Sequence, residues 1–117
     1  MTEQELYKRS VRPWCEVNGI FVHRIESKAI PDVYMAKNGF SLWGELKCVI
    51  GTPRVVRPGW RPGQLAWIKK NWNHQNYNIC LILWYGGQEY WMPPQEVYLK
   101  EELRCHKQTY LTALNLE

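Results

Sequence analysis

The 117-residue chain lacks the features that mark membrane, secreted and zinc-stabilised proteins. No apolar run approaches the roughly 18 residues that a transmembrane helix needs. The first residues, Met-Thr-Glu-Gln-Glu, have neither the basic start nor the apolar core of a signal peptide. The four cysteines are far apart and form no Cys-x-x-Cys pair, which argues against structural zinc and against a disulfide framework. We therefore expect a cytoplasmic protein with no membrane partner, whose cysteines fill small buried positions.

Negative charge is absent from residues 46–88. That stretch holds six of the 15 lysine and arginine residues, namely Lys47, Arg54, Arg57, Arg61, Lys69 and Lys70. With a net charge of +4, this distribution indicates a surface that binds a polyanion such as a nucleic acid. The alternative is a solvated positive face without a partner. Trp60, between Gly59 and Arg61, is expected in a loop, where it either stacks on a base or packs on the following helix.

A hairpin signal in the chain brings two acidic residues together. Asn38-Gly39, between two apolar-rich runs, predicts a two-residue type I′ turn. Pairing that continues outward from this turn places Asp32 directly opposite Glu45. Lys47 falls on the same face as Glu45 because strand side chains alternate. A bulge at Gly44 is the alternative, and it would slip the register by one residue and separate the two acids.

Two carboxylates in such a pair, with Cβ atoms about 4.5–5.5 Å apart, repel each other unless something neutralises them. A hard divalent cation such as Mg²⁺ takes oxygen ligands and would do so. Asp32, Glu45 and Lys47 therefore predict a metal site with a lysine beside it, the alternative being a chance acid pair and an ordinary surface lysine. The three histidines have no ligand-like spacing, and we assign no metal to them: His23, His74 and His106.

Local patterns predict one domain over residues 1–117, with element order α-β-β-β-α-β-β-α. A helix is expected over residues 2–18, with Thr2 and Glu5 forming a capping box and Pro13 kinking or ending it early. Strands are expected over residues 20–25, 31–37 and 40–50. A helix over residues 62–73, strands over residues 78–84 and 88–92, and a short polar helix over residues 95–103 follow. The order predicts an α/β sheet flanked by helices.

These residues, in this order, resemble the PD-(D/E)xK nuclease superfamily, whose core is α-β-β-β-α-β. Pro31-Asp32 and Glu45-Leu46-Lys47 match its motif. The chain is similar to the small VRR-NUC domains, which are often phage-encoded, and to archaeal-type Holliday junction resolvases. Further strings support this: Arg24-Ile25-Glu26-Ser27, Leu42-Trp43-Gly44-Glu45-Leu46-Lys47 and Arg61-Pro62-Gly63-Gln64. The resemblance implies a restriction-endonuclease-like α/β core, α-β-β-β-α-β(β), with a mixed sheet flanked by helices.

The resemblance also implies divalent-metal-dependent hydrolysis of DNA phosphodiester bonds. Asp32, Glu45 and the backbone carbonyl of Leu46 would bind Mg²⁺ or Mn²⁺, which polarises the phosphate and activates a bound water. Lys47 would position that water or help to deprotonate it, and would stabilise negative charge on the phosphate.

Families of this kind add an acid from the first helix, which is either Glu3 or Glu5 here. Glu3-Gln4-Glu5-Leu6 resembles the resolvase Glu-x-Glu-Leu, in which the first acid is used, and this favours Glu3 as a catalytic residue. Gln64 would point toward the site and touch the metal-bound water or a phosphate. Arg24 and Ser27 would contact phosphate, together with the basic residues of the acid-free stretch.

Branched DNA is the expected substrate, because a core of this size has no room for a separate sequence-reading module and reads shape and phosphates. A four-way junction is two-fold symmetric, so a homodimer would supply two active sites. Tyr85, Tyr90 and Trp91 are expected at its interface. The alternatives are a nuclease of other specificity (flap cutting, nicking or DNA degradation) and a non-catalytic nucleic-acid-binding module. A phage-encoded chain would act in the host cytoplasm.

Overall fold

The computed structural model describes residues 1–27, 30–72 and 78–115 of the chain. Its helical segments are α1 (Glu3–Leu6), a π-helical turn (Tyr7–Val11), α2 (Arg12–Val17), α3 (Pro62–Asn71), a 3₁₀ turn (Lys100–Glu102) and α4 (Lys107–Asn115). Its strands are β1 (Phe21–Arg24), β2 (Val33–Lys37), β3 (Phe40–Cys48), β4 (Val55–Val56), β5 (Ile79–Tyr85), β6 (Gln88–Met92) and β7 (Tyr98–Leu99). Within these ranges, no helix has the length and apolar character needed to cross a bilayer.

The hairpin predicted at Asn38-Gly39 connects β2 to β3. Both turn residues have positive φ angles, 52° and 82°, as a type I′ turn requires. The strand pairing runs without a bulge from Lys37 opposite Phe40 to Val33 opposite Gly44. The predicted register is therefore confirmed, and the next pair along the ladder is the one that brings Asp32 and Glu45 together.

β3 is the central strand of a five-stranded sheet with the order β1-β2-β3-β5-β6. It pairs antiparallel with β2 and parallel with β5, and α3 lies between β3 and β5 in the chain. The predicted mixed sheet flanked by helices is confirmed. β5 reads as an unbroken apolar run because apolar clusters cover both of its faces.

The first helix continues through Pro13 to Val17, so Pro13 does not end it. The π-helical turn lies directly before Arg12, whose N–H donates to the Tyr7 carbonyl five residues back. This wider turn brings Leu6 and Val11, five residues apart, to the same side of the helix, where both are fully buried. The N-terminal helix ends before Gly19, whose positive φ of 68° suits the position after a helix.

The two faces of the sheet bury separate apolar clusters. On the face covered by the N-terminal helix, called the N-helix face, the cluster includes Leu6, Val11, Cys15, Leu46, Ile82, Trp91 and Tyr110. On the opposite face, called the α3 face, it includes Val56, Leu81, Leu83, Met92, Tyr98 and Leu103. Because side chains alternate along β3, Leu46 enters the first cluster while Glu45 and Lys47 project to the α3 face.

The C-terminal part differs from the prediction. Residues 95–103, predicted as a short helix, form β7 and the 3₁₀ turn, and β7 pairs antiparallel with β4. The pairing of two short segments far apart in the chain is not encoded by either segment alone. The tail, which showed no pattern, forms α4 because Tyr110 is buried beside Trp91, with ring centroids 6.3 Å apart.

Two of the aromatic residues predicted at a dimer surface are buried, and that prediction was wrong for them. Tyr85 lies in the cluster of the α3 face, and Trp91 packs against Trp14 with ring centroids 5.0 Å apart.

The cysteines differ in burial: Cys15 and Cys80 are buried as predicted, whereas Cys105 is exposed. The predictions for His74 and for the end of the second helix at residue 73 lie outside the described residues.

Gly44 marks a close approach of β3 to its neighbours on the N-helix face. A Cβ at this position would lie 3.0 Å from Met35 Cε and 3.0 Å from Ile82 Cδ1, and both side chains are fully buried. We predict that Gly44→Val lowers the free energy of unfolding by about 1–3 kcal/mol, measured by urea denaturation, because the core is overpacked. Ser41→Val, at an exposed position of the same strand, is the control; an equal loss there would contradict this explanation.

Candidate functional site

Three carboxylates meet beside the start of β2. Glu3 is the first residue of α1, Asp32 precedes β2, and Glu45 lies on β3. One oxygen atom from each side chain lies within 4.8 Å of the other two. Glu5, the alternative acid of the first helix, instead forms an ion pair of 3.1 Å with Arg9. The structure therefore brings Glu3 into the cluster.

The backbone of β3 fixes the orientation of Asp32. The Leu46 N–H donates to Asp32 Oδ2 at 3.1 Å, and this bond holds the carboxylate against the strand next to Glu45. The Leu46 side chain is buried on the N-helix face. The use of its carbonyl as a metal ligand stays a prediction.

Glu45 is the most deeply placed of the three acids, and only 1% of its surface is exposed. Its Oε2 atom accepts a hydrogen bond of 2.9 Å from Gln64 Nε2. Its buried Oε1 atom receives no hydrogen bond from the described residues. Because Asp32 is its neighbour, the two carboxyl groups would have to share a proton if no cation were bound.

Burial raises the pKa of Glu45 to about 9, and the negative charges of Asp32 and Glu3 act in the same direction, while Lys47 opposes them. A divalent cation would reverse this shift by neutralising the carboxylates. An all-oxygen donor set with one unsatisfied, buried oxygen fits Mg²⁺ or Mn²⁺. Glu3, Asp32 and Glu45 are thus the residues that would hold such an ion.

Gln64 links the buried acid to the buried lysine. Its Oε1 atom accepts hydrogen bonds of 3.0 Å from Lys47 Nζ and 3.0 Å from the Arg61 N–H, while its Nε2 donates to Glu45. The bond to Arg61 belongs to a capping box at the start of α3. The Arg-Pro-x-Gln string therefore both begins the helix and places the Gln64 amide between Glu45 and Lys47, while its contact with a metal-bound water or a phosphate stays a prediction.

Lys47 is held on several sides and is only 7% exposed. Besides Gln64, its Nζ lies 3.3 Å from the Gly59 carbonyl and 3.5 Å from Glu45 Oε2. The Trp60 ring centroid is 5.7 Å away, and Trp60 Nε1 donates to the Gln95 carbonyl at 2.7 Å. Sequence reasoning did not find these loop contacts, since only the folded loop places the Gly59 carbonyl and the Trp60 ring beside β3.

A cleft of about 400 Å³ opens over the acids, and it is lined by Glu3, Arg24, Ile25, Glu26, Ser27, Asp32 and Arg61. The Arg24 guanidinium lies 5.5 Å from the Tyr7 ring centroid, and its buried Nε has no hydrogen-bond partner among the described residues. Arg24, Ser27 and Arg61, all predicted to contact DNA, thus share one opening with two of the acids.

The other predicted DNA contacts do not line this cleft. Arg54 and Lys69 form ion pairs with Glu101 and Glu96, at 3.8 and 3.4 Å, because the fold returns acids from the C-terminal part to the acid-free stretch. Arg57 and Lys70 are exposed. Their contact with DNA stays a prediction.

No protein-family model and no curated protein matches the chain. Among solved structures, its fold is similar to that of Archaeoglobus fulgidus Hjc, a Holliday junction resolvase from an archaeal hyperthermophile. The TM-score is 0.54 at 11% sequence identity, over 82% of this chain and 81% of that one. The chain has a restriction-endonuclease-like fold. In this chain Glu45 and Lys47 lie on the central strand β3, Asp32 directly precedes β2, and Glu3 comes from α1.

The raised pKa of Glu45 predicts how the stability of the metal-free protein depends on pH. Folded Glu45 keeps a proton that the unfolded chain loses above its usual pKa of 4.5, so stability falls as the pH rises from about 4.5 to about 9. Glu45→Gln should remove this loss, because an amide can donate toward Asp32 without ionising. At pH 8 the variant should be more stable by on the order of 2 kcal/mol, measured by urea denaturation in EDTA.

Glu16→Gln, at an exposed position of α2, is the matched control and should keep the wild-type slope. Saturating Mg²⁺ or Mn²⁺ should stabilise the wild type at pH 8 and leave Glu45→Gln largely unaffected. Parallel pH curves for the wild type and Glu45→Gln would contradict the assignment of the buried proton to Glu45.

Proposed function

We propose that the chain is a divalent-metal-dependent endonuclease that hydrolyses DNA phosphodiester bonds. The convergence of Glu3, Asp32 and Glu45 beside the buried amine of Lys47 carries this proposal. Burying carboxylates together costs free energy unless a ligand or partner compensates. An unsatisfied acid below an open, arginine-lined cleft is therefore expected to serve the binding of a cation and a phosphate.

The metal, when bound, supplies a Lewis acid and an activated water for attack on phosphorus. The chain's own residues stabilise charge, hold the site in place and bind the DNA strand. Lys47 donates to the developing charge on the phosphate oxygens and orients the attacking water. Gln64 holds Lys47 and Glu45 in place, so it is a positioning residue. Arg24, Ser27 and Arg61 bind the phosphates of the strand in the cleft.

Within this proposal the chain is a PD-(D/E)xK nuclease of the VRR-NUC or resolvase-like kind. The motif residues Asp32, Glu45 and Lys47 support this, as does the fold that the chain shares with a Holliday junction resolvase. The substrate named for that resolvase supports branched DNA as the substrate here. The homodimer is proposed because a two-fold symmetric junction needs two active sites. A nuclease of another specificity would use the same residues, and only its substrates would differ.

Cleavage of DNA should require the metal and the clustered residues. We predict that the wild type cuts DNA in Mg²⁺ or Mn²⁺ and is inactive in EDTA. Asp32→Asn, Glu45→Gln and Lys47→Met should each lower the single-turnover rate by about 100-fold or more, because each removes a charge used in the transition state. Lys100→Met, an exposed lysine of the 3₁₀ turn, is the control and should retain most activity.

Cleavage that persists in EDTA or in Asp32→Asn would contradict the proposal. DNA binding without cleavage in any divalent metal would instead identify a non-catalytic binding module. Thermal denaturation of each variant checks that a lost activity is not a lost fold.

Selectivity for branched DNA is tested with equimolar four-way junction, flap, nicked duplex and linear duplex. We expect the four-way junction to be cut faster than the linear duplex of the same sequence, by paired incisions across its two-fold axis from a dimer. Light scattering with and without junction DNA reports the dimer. Equal cleavage rates on junction and linear duplex would contradict the resolvase assignment but would still support a nuclease.

A further inference from the structure

An unassigned row of aromatic side chains lies beside the acid cluster on the α3 face. Tyr34 pairs with Trp43 across β2 and β3, and their rings stack with centroids 5.0 Å apart. Trp67 of α3 meets the Trp43 ring edge to face at 5.4 Å, and Phe21 of β1 meets the Tyr34 ring at 6.4 Å. These four residues, Phe21, Tyr34, Trp43 and Trp67, are called the aromatic row.

The aromatic row lies beside the acid cluster. Its members are displaced from the site residues by two positions along each strand and by about one turn along α3. Trp43 is two residues from Glu45 on β3, and Tyr34 is two residues from Asp32. Trp67 follows Gln64 by nearly one turn of α3. These offsets correspond to about 5–7 Å along a helix or strand. A nucleotide whose phosphate lies at the acids would therefore have its base or its neighbour's base within reach of the aromatic row.

The aromatic row is accessible. Phe21 is 63% exposed, and Tyr34, Trp43 and Trp67 are partly exposed. A contiguous group of exposed aromatic side chains marks an interaction surface, in contrast to a single exposed residue. Aromatic rings on an open sheet are also the usual platform for unpaired bases, since every base has a face that can stack.

The surroundings of the aromatic row suit a nucleic acid better than an apolar protein surface. By alternation, the other side chains on this face of β1 to β3, between the acids and the hairpin, are His23, Ala36 and Ser41. None of them is acidic, and none is a large aliphatic group of the kind that fills protein interfaces. Lys70 lies exposed after Trp67 at the end of α3, and such a charge favours a polyanion.

We infer that the aromatic row binds unpaired bases of a DNA strand next to the phosphate held at the acids. The inference rests on the proposed function and narrows its substrate: the strand that enters the site carries unpaired nucleotides, as at a flap or an opened branch point. In a continuous duplex the base faces are covered by their neighbours, so the aromatic row gains nothing from it. Phe21, at the outer end of the row, is the most exposed surface for the first such base.

Binding in EDTA tests this without cleavage. Fluorescence anisotropy compares three labelled probes of equal length: an oligothymidine strand, an abasic strand with the same phosphates, and a duplex. The wild type should bind the oligothymidine about 5-fold or more tightly than the abasic strand, because each stacked base contributes affinity. Phe21→Ala with Tyr34→Leu should abolish this preference. Phe40→Ala, a phenylalanine 42% exposed on the N-helix face, should keep it.

Equal affinity of the wild type for the two single strands would overturn the inference, and so would a base preference that survives Phe21→Ala with Tyr34→Leu. Light scattering on the same variants gives the competing outcome: a dimer that dissociates with no change in base preference would assign the aromatic row to contacts between copies and overturn the inference as well.

The binding readout separates this inference from the proposed function. If the wild type shows no base preference but cuts DNA, the inference about the aromatic row is wrong and the proposed nuclease function stands. If the wild type prefers the strand with bases but never cuts DNA, the inference about the aromatic row stands and the proposed nuclease function is wrong. Asp32→Asn should retain the preference, since it acts on the metal and not on the bases.

Discussion

The pairing of β2 with β3 is the constraint on which the candidate site depends. Because strand side chains alternate, a slip of one residue would turn Glu45 into the cluster under the N-terminal helix and Leu46 out toward Gln64. Such a slip would bury a charge and expose apolar surface at once. The apolar core therefore enforces the register that brings the acids together, and the Asn38-Gly39 turn, with both φ angles positive, starts the pairing at the correct residue.

Burial strengthens the electrostatic interactions in the site and also makes unpaired polar groups there costly in free energy. Glu45, Lys47 and Gln64 form a connected polar network in an apolar setting, where electrostatic interactions are stronger than in water and unpaired groups are expensive. Gln64 serves this network and the cap of α3 with one amide. The start of α3 and the position of the Lys47 amine therefore depend on each other. The Trp60 ring contacts the amine from the side of the loop.

Local signals in the sequence were sufficient for the hairpin, the buried strand β5 and the Thr2 cap of the N-terminal helix, since each depends on neighbouring residues. The same signals placed Asp32, Glu45 and Lys47 on one face. They failed where distant segments decide the structure: β4 with β7, α4 on Trp91, and the Gly59 and Trp60 contacts to Lys47. The π-helical turn was also missed, because Pro13 suggested a kink or an early end, and the five-residue spacing of Leu6 and Val11 does not fit one face of a regular helix.

That π-helical turn determines where Glu3 lies around the axis of the first helix. It holds one more residue than a regular turn, and each residue turns a helix by about 100°. Deleting a single amino acid there would make the helix regular and swing Glu3 around the axis, away from Asp32 and Glu45, even with every acid retained. The length of this helix is consequently as strict a requirement as its composition, and single-codon insertions or deletions near its middle are expected to disable the protein without touching any charged group.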